Sequence, residues 1–270
     1  MRPRMYWGIV WGIILVLVGA GLLLRTLGII TFEVWGLVPA LLLVAVGLLI
    51  LWGVLAGPQS VATEENSIPL EGAGQARIIV EHGAGRLTVG AGSRPDELLA
   101  GSFGGGLDVQ ARRDGDTLDV RMRPSAQNWP MAFPWHWGPG RGLEWTFNLN
   151  RDVPLTLELR TGAGESRLDL SELRVTELTL RTGASATDVT LPANAGNTRV
   201  ECEAGVASVT LRVPSGVAAR IRAEAGMGSV TVDRARFPRA GGYYQSPDFE
   251  QAVNKVEIRA TMGLGAIAVR

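Results

Sequence analysis

Cys202, His82 and His136 are the side chains of this 270-residue chain best suited to nucleophilic, acid–base or metal chemistry. A cysteine activated by a histidine gives a thiolate nucleophile, and histidines clustered with carboxylates or thiolates hold zinc. The spacing supports neither. Cys202 is the single cysteine, and its place in a repeated pattern is taken elsewhere by Thr161, Thr182, Ala223 and Ala260. It therefore reads as a small buried filler. His82 aligns with the same column, and His136 stands apart in a loop. The GAG triplets at 72–74, 83–85 and 162–164 resemble phosphate loops only superficially, because none opens a helix and no GxxxxGK[ST] or GxGxxG is present. The residues thus predict no catalytic, cofactor-binding or metal-binding position, and a protein that is not an enzyme.

Two surface features invite a binding role. The insertion 124–147 carries Trp129, Phe133, Trp135, Trp137, Trp145 and Phe147 among prolines and glycines. Such a cluster fits a partner-binding or lipid-contacting anchor, and equally an aromatic plug capping a β structure. The second feature is a column of Arg160, Arg181, Arg222 and Arg259 at one position of the repeat. It fits an acidic partner or anionic headgroups, or a solvated face offset by Glu158, Glu201, Glu203 and Glu257.

The elements that must position these residues repeat. From residue 74 onwards apolar residues recur with period two, broken by Gly-rich corners. LELRTGAGESRLDL (157–170), LTLRTGASATDVTL (178–191), TRVECEAGVASVTL (198–211), ARIRAEAGMGSVTV (219–232) and VEIRATMGLGAIAV (256–269) each read as strand, turn, strand. Leu159, Leu180, Val200 and Ile221 are 21, 20 and 21 residues apart, and the step to Ile258 is 37. The long step places a second insertion at 237–254. ARIIVEHGAGRLTV (76–89) reads as a first, shorter coil, and LDVQARRDGDTLDV (107–120) as a hairpin about Asp114-Gly115. A near-constant period with two strands per unit predicts a parallel β-solenoid of about 20–21 residues per coil, with a β-sandwich as the alternative.

The amino-terminal part differs in composition. Residues 1–56 hold only Arg2, Arg4, Arg25 and Glu33 as charges, which leaves 23 basic and 25 acidic residues beyond them. Two charge-free runs, 6–24 and 34–56, are each long enough to span about 30 Å of hydrocarbon as helices. They predict a two-helix transmembrane hairpin over 1–56, with a cleaved signal peptide as the rival reading of the first run. Residues 57–73 read as a polar linker, and 74–270 as the β domain. Arg2 and Arg4 favour a cytoplasmic start, so two crossings return the β domain to the cytoplasm. The zero net charge excludes the basic footprint of a nucleic-acid binder.

GIILVLVGAGLLLRTLGIITFEVWGLVPALLLVAVGLLILWG (12–53) resembles the paired-helix region of LiaI/LiaF-type bacterial membrane proteins. LEWTFNLNRDVPLTLELRTGAGESRLDLSELRVTELTLRTGASATDVTLP (143–192) is similar to the toast-rack β domain of the same family, above all VPLTLELRTGAG and LDLSEL. The resemblance implies an integral protein of the bacterial cell membrane that regulates or scaffolds the cell-envelope stress response. It also implies a protein partner, typically a sensor histidine kinase. Two helices stand where four are expected in LiaF, so kinase restraint is the weaker part of the implication. The alternatives are a polymerising, bactofilin-like homo-oligomer and an extracellular adhesin-like module.

Overall fold

The computed structural model describes residues 63–125 and 143–270, all within the compact unit Gly57–Arg270. In chain order the strands are β1 (Thr63–Pro69), β2 (Gln75–Ala91), β3 (Glu97–Gly104), β4 (Leu107–Asp114), β5 (Thr117–Pro124), β6 (Leu143–Leu149) and β7 (Leu155–Asp169). They continue with β8 (Val175–Thr190), β9 (Asn197–Arg212), β10 (Ala218–Val232), β11 (Arg239–Ala240), β12 (Tyr243–Gln245) and β13 (Lys255–Val269).

Six long strands build the body as parallel neighbours in the order β2-β7-β8-β9-β13-β10. Each is a single bent strand of 15–17 residues. In β7, Leu155, Leu157 and Leu159 point inward. Past the Gly162–Gly164 corner the inward set becomes Ser166 and Leu168. The corner switches the alternation from odd to even positions, so both limbs of the bend face one core. A short turn then closes the rung, with Leu170 and Leu173 buried and the Leu173 N–H donating to the Leu170 carbonyl at 3.0 Å. Full burial of each such leucine contributes about 1.5–3 kcal/mol. Repeated over the rungs, this holds together a stack with little else inside it.

The corners need glycine because the rungs touch there through backbone. Gly164 adopts φ +137°, and a Cβ on it would fall 1.9 Å from the Gly85 carbonyl oxygen. No other residue type fits both conditions.

Shorter strands complete the two ends, β5 and β6 parallel to β2 and the strands beyond them antiparallel. At the β2 end, β5 covers the first limb, β6 covers the second, and β4, β3 and β1 extend them. At the β10 end, β12 pairs with β10 only at Arg220 and Ile221, and Phe237 and Phe249 close the core beneath them.

Several expectations are corrected. A helical hairpin followed by a parallel solenoid gives way to an all-β body in which parallel and antiparallel strands share one sheet. No helix among the described residues is long and apolar enough to cross a membrane, so the integral-membrane placement with a cytoplasmic β domain is withdrawn. The spans 6–24 and 34–56 lie outside the described residues. The stretch read as linker contains β1, paired with β3. Residues 76–89 belong to a full-length rung, β2. The hairpin β4–β5 turns at Gly115-Asp116, one residue beyond the expected centre, with Gly115 at φ +59°.

The register also differs. Leu180 stands opposite Cys202 rather than Val200, so the step from β8 to β9 is two residues longer than the apolar alignment suggests. In addition β13, last in the chain, lies between β9 and β10. Ile258 therefore separates Val200 from Ile221.

Candidate interaction surface

The three reactive side chains of the sequence have separate fates. Cys202 is 2% exposed, and desolvation, aided by Glu203, pushes its thiol up to about 11. It stays protonated at neutral pH, which is unsuitable for a nucleophile. His82 is buried at the β2 end, where a ring nitrogen lies 3.2 Å from the Leu143 carbonyl oxygen and donates to it. Burial pushes its pKa down to about 4, an effect the hydrogen bond only partly offsets. Its ring meets Trp145 edge-on with centroids 5.1 Å apart. Both side chains are core. His136 lies outside the described residues. Among the described residues no three of His, Cys, Asp and Glu converge as a metal site.

Of the aromatic candidates, Trp145 faces inward on β6 with no exposed surface. Its indole N–H donates to the Gly104 carbonyl at 3.1 Å, and its ring packs edge-on against Phe103, which stacks on Phe147. It plugs the β2 end of the stack and is not a surface contact in this fold. Trp129, Phe133, Trp135 and Trp137 lie outside the described residues.

The four arginines do not form one column. The register shift at β9 and the interposed β13 divide them into two pairs. Glu81, Arg160, Arg181 and Glu203 stand opposite one another on β2, β7, β8 and β9. Arg160 reaches Glu158 at 2.8 Å and Glu81 at 3.2 Å, while Arg181 reaches Glu158 and Glu203, each at 3.3 Å. Arg121 on β5 completes the ladder, and its hydrogen bond holds the Glu81 carboxyl below the usual range. These charges are mutually satisfied. Such half-exposed pairs are each worth about 0–1 kcal/mol.

Arg222 and Arg259 are different. They are paired strand-to-strand on β10 and β13, both exposed, and neither makes an ion pair among the described residues, although Glu201 stands opposite Arg259. Close by, a shallow open groove follows the corner past Arg181, Thr182, Glu203, Thr261 and Met262. The hydroxyl of Thr182, and that of Thr161 on the next rung, are buried without a hydrogen-bond partner among the described residues. This surface is flat, in register and mixed in charge. It suits contact with another polypeptide better than enclosure of a small molecule.

Sequence reasoning missed an apolar stripe. Val206, Leu264 and Met227 are 57%, 44% and 70% exposed, and they align across β9, β13 and β10. The signal was available. The residue after the corner glycine is alanine at 84, 163 and 184, then Val206, Met227 and Leu264.

Comparison with known proteins follows the same lines. Residues 57–212 match the profile described as Toast_rack_N, N-terminal domain of toast_rack, DUF2154. Among solved structures, a candidate cell adhesion protein from Clostridium sporogenes ATCC 15579 is similar with a TM-score of 0.69. It shares 23% identity over 77% of this chain and 98% of that one, which establishes likeness of fold. A candidate adhesin from Bacteroides fragilis NCTC 9343 aligns over 77% of this chain and 97% of its own at 8% identity, but its TM-score of 0.17 carries no argument. No curated protein matches.

Proposed function

Because the chain belongs to the toast-rack N-terminal domain family (DUF2154), we propose that its β body is a non-catalytic protein-binding scaffold that restrains a sensor histidine kinase in the bacterial envelope-stress response. The observation that supports a binding role is the Arg222–Arg259 pair. Two exposed guanidiniums held at neighbouring positions by the sheet register, without an intramolecular partner among the described residues, offer a fixed site for an acidic protein segment. The kinase as partner rests on the resemblance of the sequence to LiaF-type proteins. Production of the full chain in a cell carrying a kinase-dependent reporter tests the reading. The reporter should fall about fivefold or more under envelope stress, and Arg222→Glu with Arg259→Glu should restore it. An unchanged reporter, or full restraint by the double variant, contradicts the proposal.

A second reading is adhesion, favoured by the fold shared with the Clostridium sporogenes protein. It requires the β body to face outside the cell. A tag after Arg270 that protease removes from intact cells supports adhesion, and a tag that survives on intact cells contradicts it.

A further inference from the structure

The two ends of the stack are finished differently. At the β2 end every limb is covered, since Gln75–Val80 pairs with β5 and Gly85–Ala91 pairs with β6. At the other end β10 is bonded along its full length to β13 on one side. On its other side β12 reaches only Arg220 and Ile221. The second limb of β10, from the glycine corner to Val232, therefore has a free edge among the described residues.

Burial records the same asymmetry. Val209 and Ile267 are each 1% exposed, while their equivalent on β10, Val230, is only half-buried. Met227, Gly228, Ser229 and Thr231 are exposed, Met227 to 70%. Free edges in native proteins are ordinarily blunted by lysine, proline, bulges or an overlying element. Ala225–Val232 reads AGMGSVTV, without a charge, a proline or a lysine.

We infer that this edge is covered by the same edge of a second copy of the chain, paired antiparallel about a two-fold axis near Ser229. Charge selects the direction. Antiparallel pairing carries Glu224 of each copy towards Arg234 of the second copy, whereas parallel pairing sets Glu224 against Glu224. The covered β2 end selects the closure. The outermost strands at that end, β1 and β4, carry Glu64, Glu65 and Pro69, and Asp108, Arg112, Arg113 and Asp114, which blunt their edges against head-to-tail growth, so the uncharged β10 edge makes one isologous contact and stops at two copies. The inference does not depend on the identity of any other partner.

Site-directed crosslinking of the full chain tests it, in a Cys202→Ala background that removes the native thiol. Ser229→Cys places two thiols beside the axis, and oxidation should convert most of the protein to covalent dimer. Gln110→Cys, exposed on β4 at the covered end, should stay monomeric. Adding Thr231→Lys to Ser229→Cys sets a lysine opposite the exposed Met227 of the second copy, the charge by which native edges are blunted, and should lower the dimer yield about tenfold, with an unchanged circular dichroism spectrum. Sedimentation of the unmodified protein should give a species of twice 28.8 kDa. Crosslinking of Ser229→Cys no better than Gln110→Cys overturns the inference. So does a yield indifferent to Thr231→Lys, a monomer at concentrations of roughly 100 μM, or an open-ended series of larger assemblies.

Discussion

Gly162 stacks on Gly83 so closely that a Cβ on Gly162 would lie 2.3 Å from the Gly83 carbonyl oxygen, whereas a Cβ on Gly83 would meet nothing within 4 Å. The contact repeats along the corner. Gly183 approaches the Gly162 carbonyl, Gly205 that of Gly183, Gly263 that of Gly205 and Gly226 that of Gly263. Each rung is seated on the previous one by its backbone.

The asymmetry predicts opposite outcomes for one substitution at two neighbouring positions. Gly162→Ala must push two backbones apart and should cost about 1–3 kcal/mol, as overpacking does. Gly83→Ala enters open space at an ordinary φ and should cost nothing, with a gain of up to about 1 kcal/mol from the stiffer unfolded chain. Urea unfolding of both variants checks the pair. Equal losses would contradict the direction of stacking.

Trp145 predicts a large packing effect at the same end of the stack. Trp145→Ala should cost about 3–5 kcal/mol, because it empties the centre of the Phe103–Phe147–His82 cluster. Trp145→Phe keeps most of the ring but orphans the Gly104 carbonyl, and should cost about 1–3 kcal/mol. Denaturant midpoints for the two variants give the comparison, and a Trp145→Ala protein as stable as the parent would remove the tryptophan from the core.

His82 predicts a dependence on pH. Its folded pKa of about 4 lies below the ordinary 6.5, so between these values the unfolded chain binds more protons than the folded one. Stability from this residue is fully present above pH 6.5 and is lost as pH falls towards 4, by an amount on the order of 3 kcal/mol. The Glu81 carboxyl, held below its ordinary 4.5, adds a loss of stability as pH falls below that value. His82→Gln should lower stability at pH 7 and flatten the slope between pH 6.5 and 4. Unfolding midpoints across that range decide the matter, and an unchanged slope in the variant would contradict the burial of a neutral imidazole.

Cys202 predicts selective protection. Its thiol, buried and raised to about 11, should react with iodoacetamide in the native protein at a rate set by unfolding, and rapidly in denaturant. Fast native labelling at pH 8 would show that the inner face of β9 is open to solvent.

The rungs and their corners were legible in the sequence, but their order and register were not. Apolar alternation has period two, so sliding β9 by two residues keeps every inward side chain inward. Leu180 can face Val200 or Cys202 without exposing a hydrophobe, and the apolar pattern alone favours the wrong partner. The corner glycines break the tie. Gly162, Gly183, Gly205 and Gly226 are 21, 22 and 21 apart, which is the observed register. In sequence Trp145 counts with the aromatic insertion and its candidate contacts, although Trp145, Phe147 and Leu149 alternate as one buried face of β6. The placement of β13 inside the stack was not legible, because strand order depends on contacts remote in sequence. The arginine pairs followed from it. A correct column of inward residues with the wrong neighbours gives the wrong charge pattern outside, and thus concealed that Arg160 and Arg181 are satisfied while Arg222 and Arg259 are not.

The position of β13 between β9 and β10 creates both the Arg222–Arg259 pair and the free edge of β10, and disulfide trapping tests it most directly. In a Cys202→Ala background, Val206→Cys with Leu264→Cys places two thiols on adjacent strands in register, at a separation of about 5 Å that a disulfide can bridge. Val206→Cys with Met227→Cys places them two strands apart, at about 10 Å, which it cannot. Oxidation should give an intramolecular disulfide in the first variant and free thiols in the second, read by mass spectrometry of the monomer. Disulfide formation in the second variant and not in the first would mean that the rungs stack in chain order, and would contradict the account.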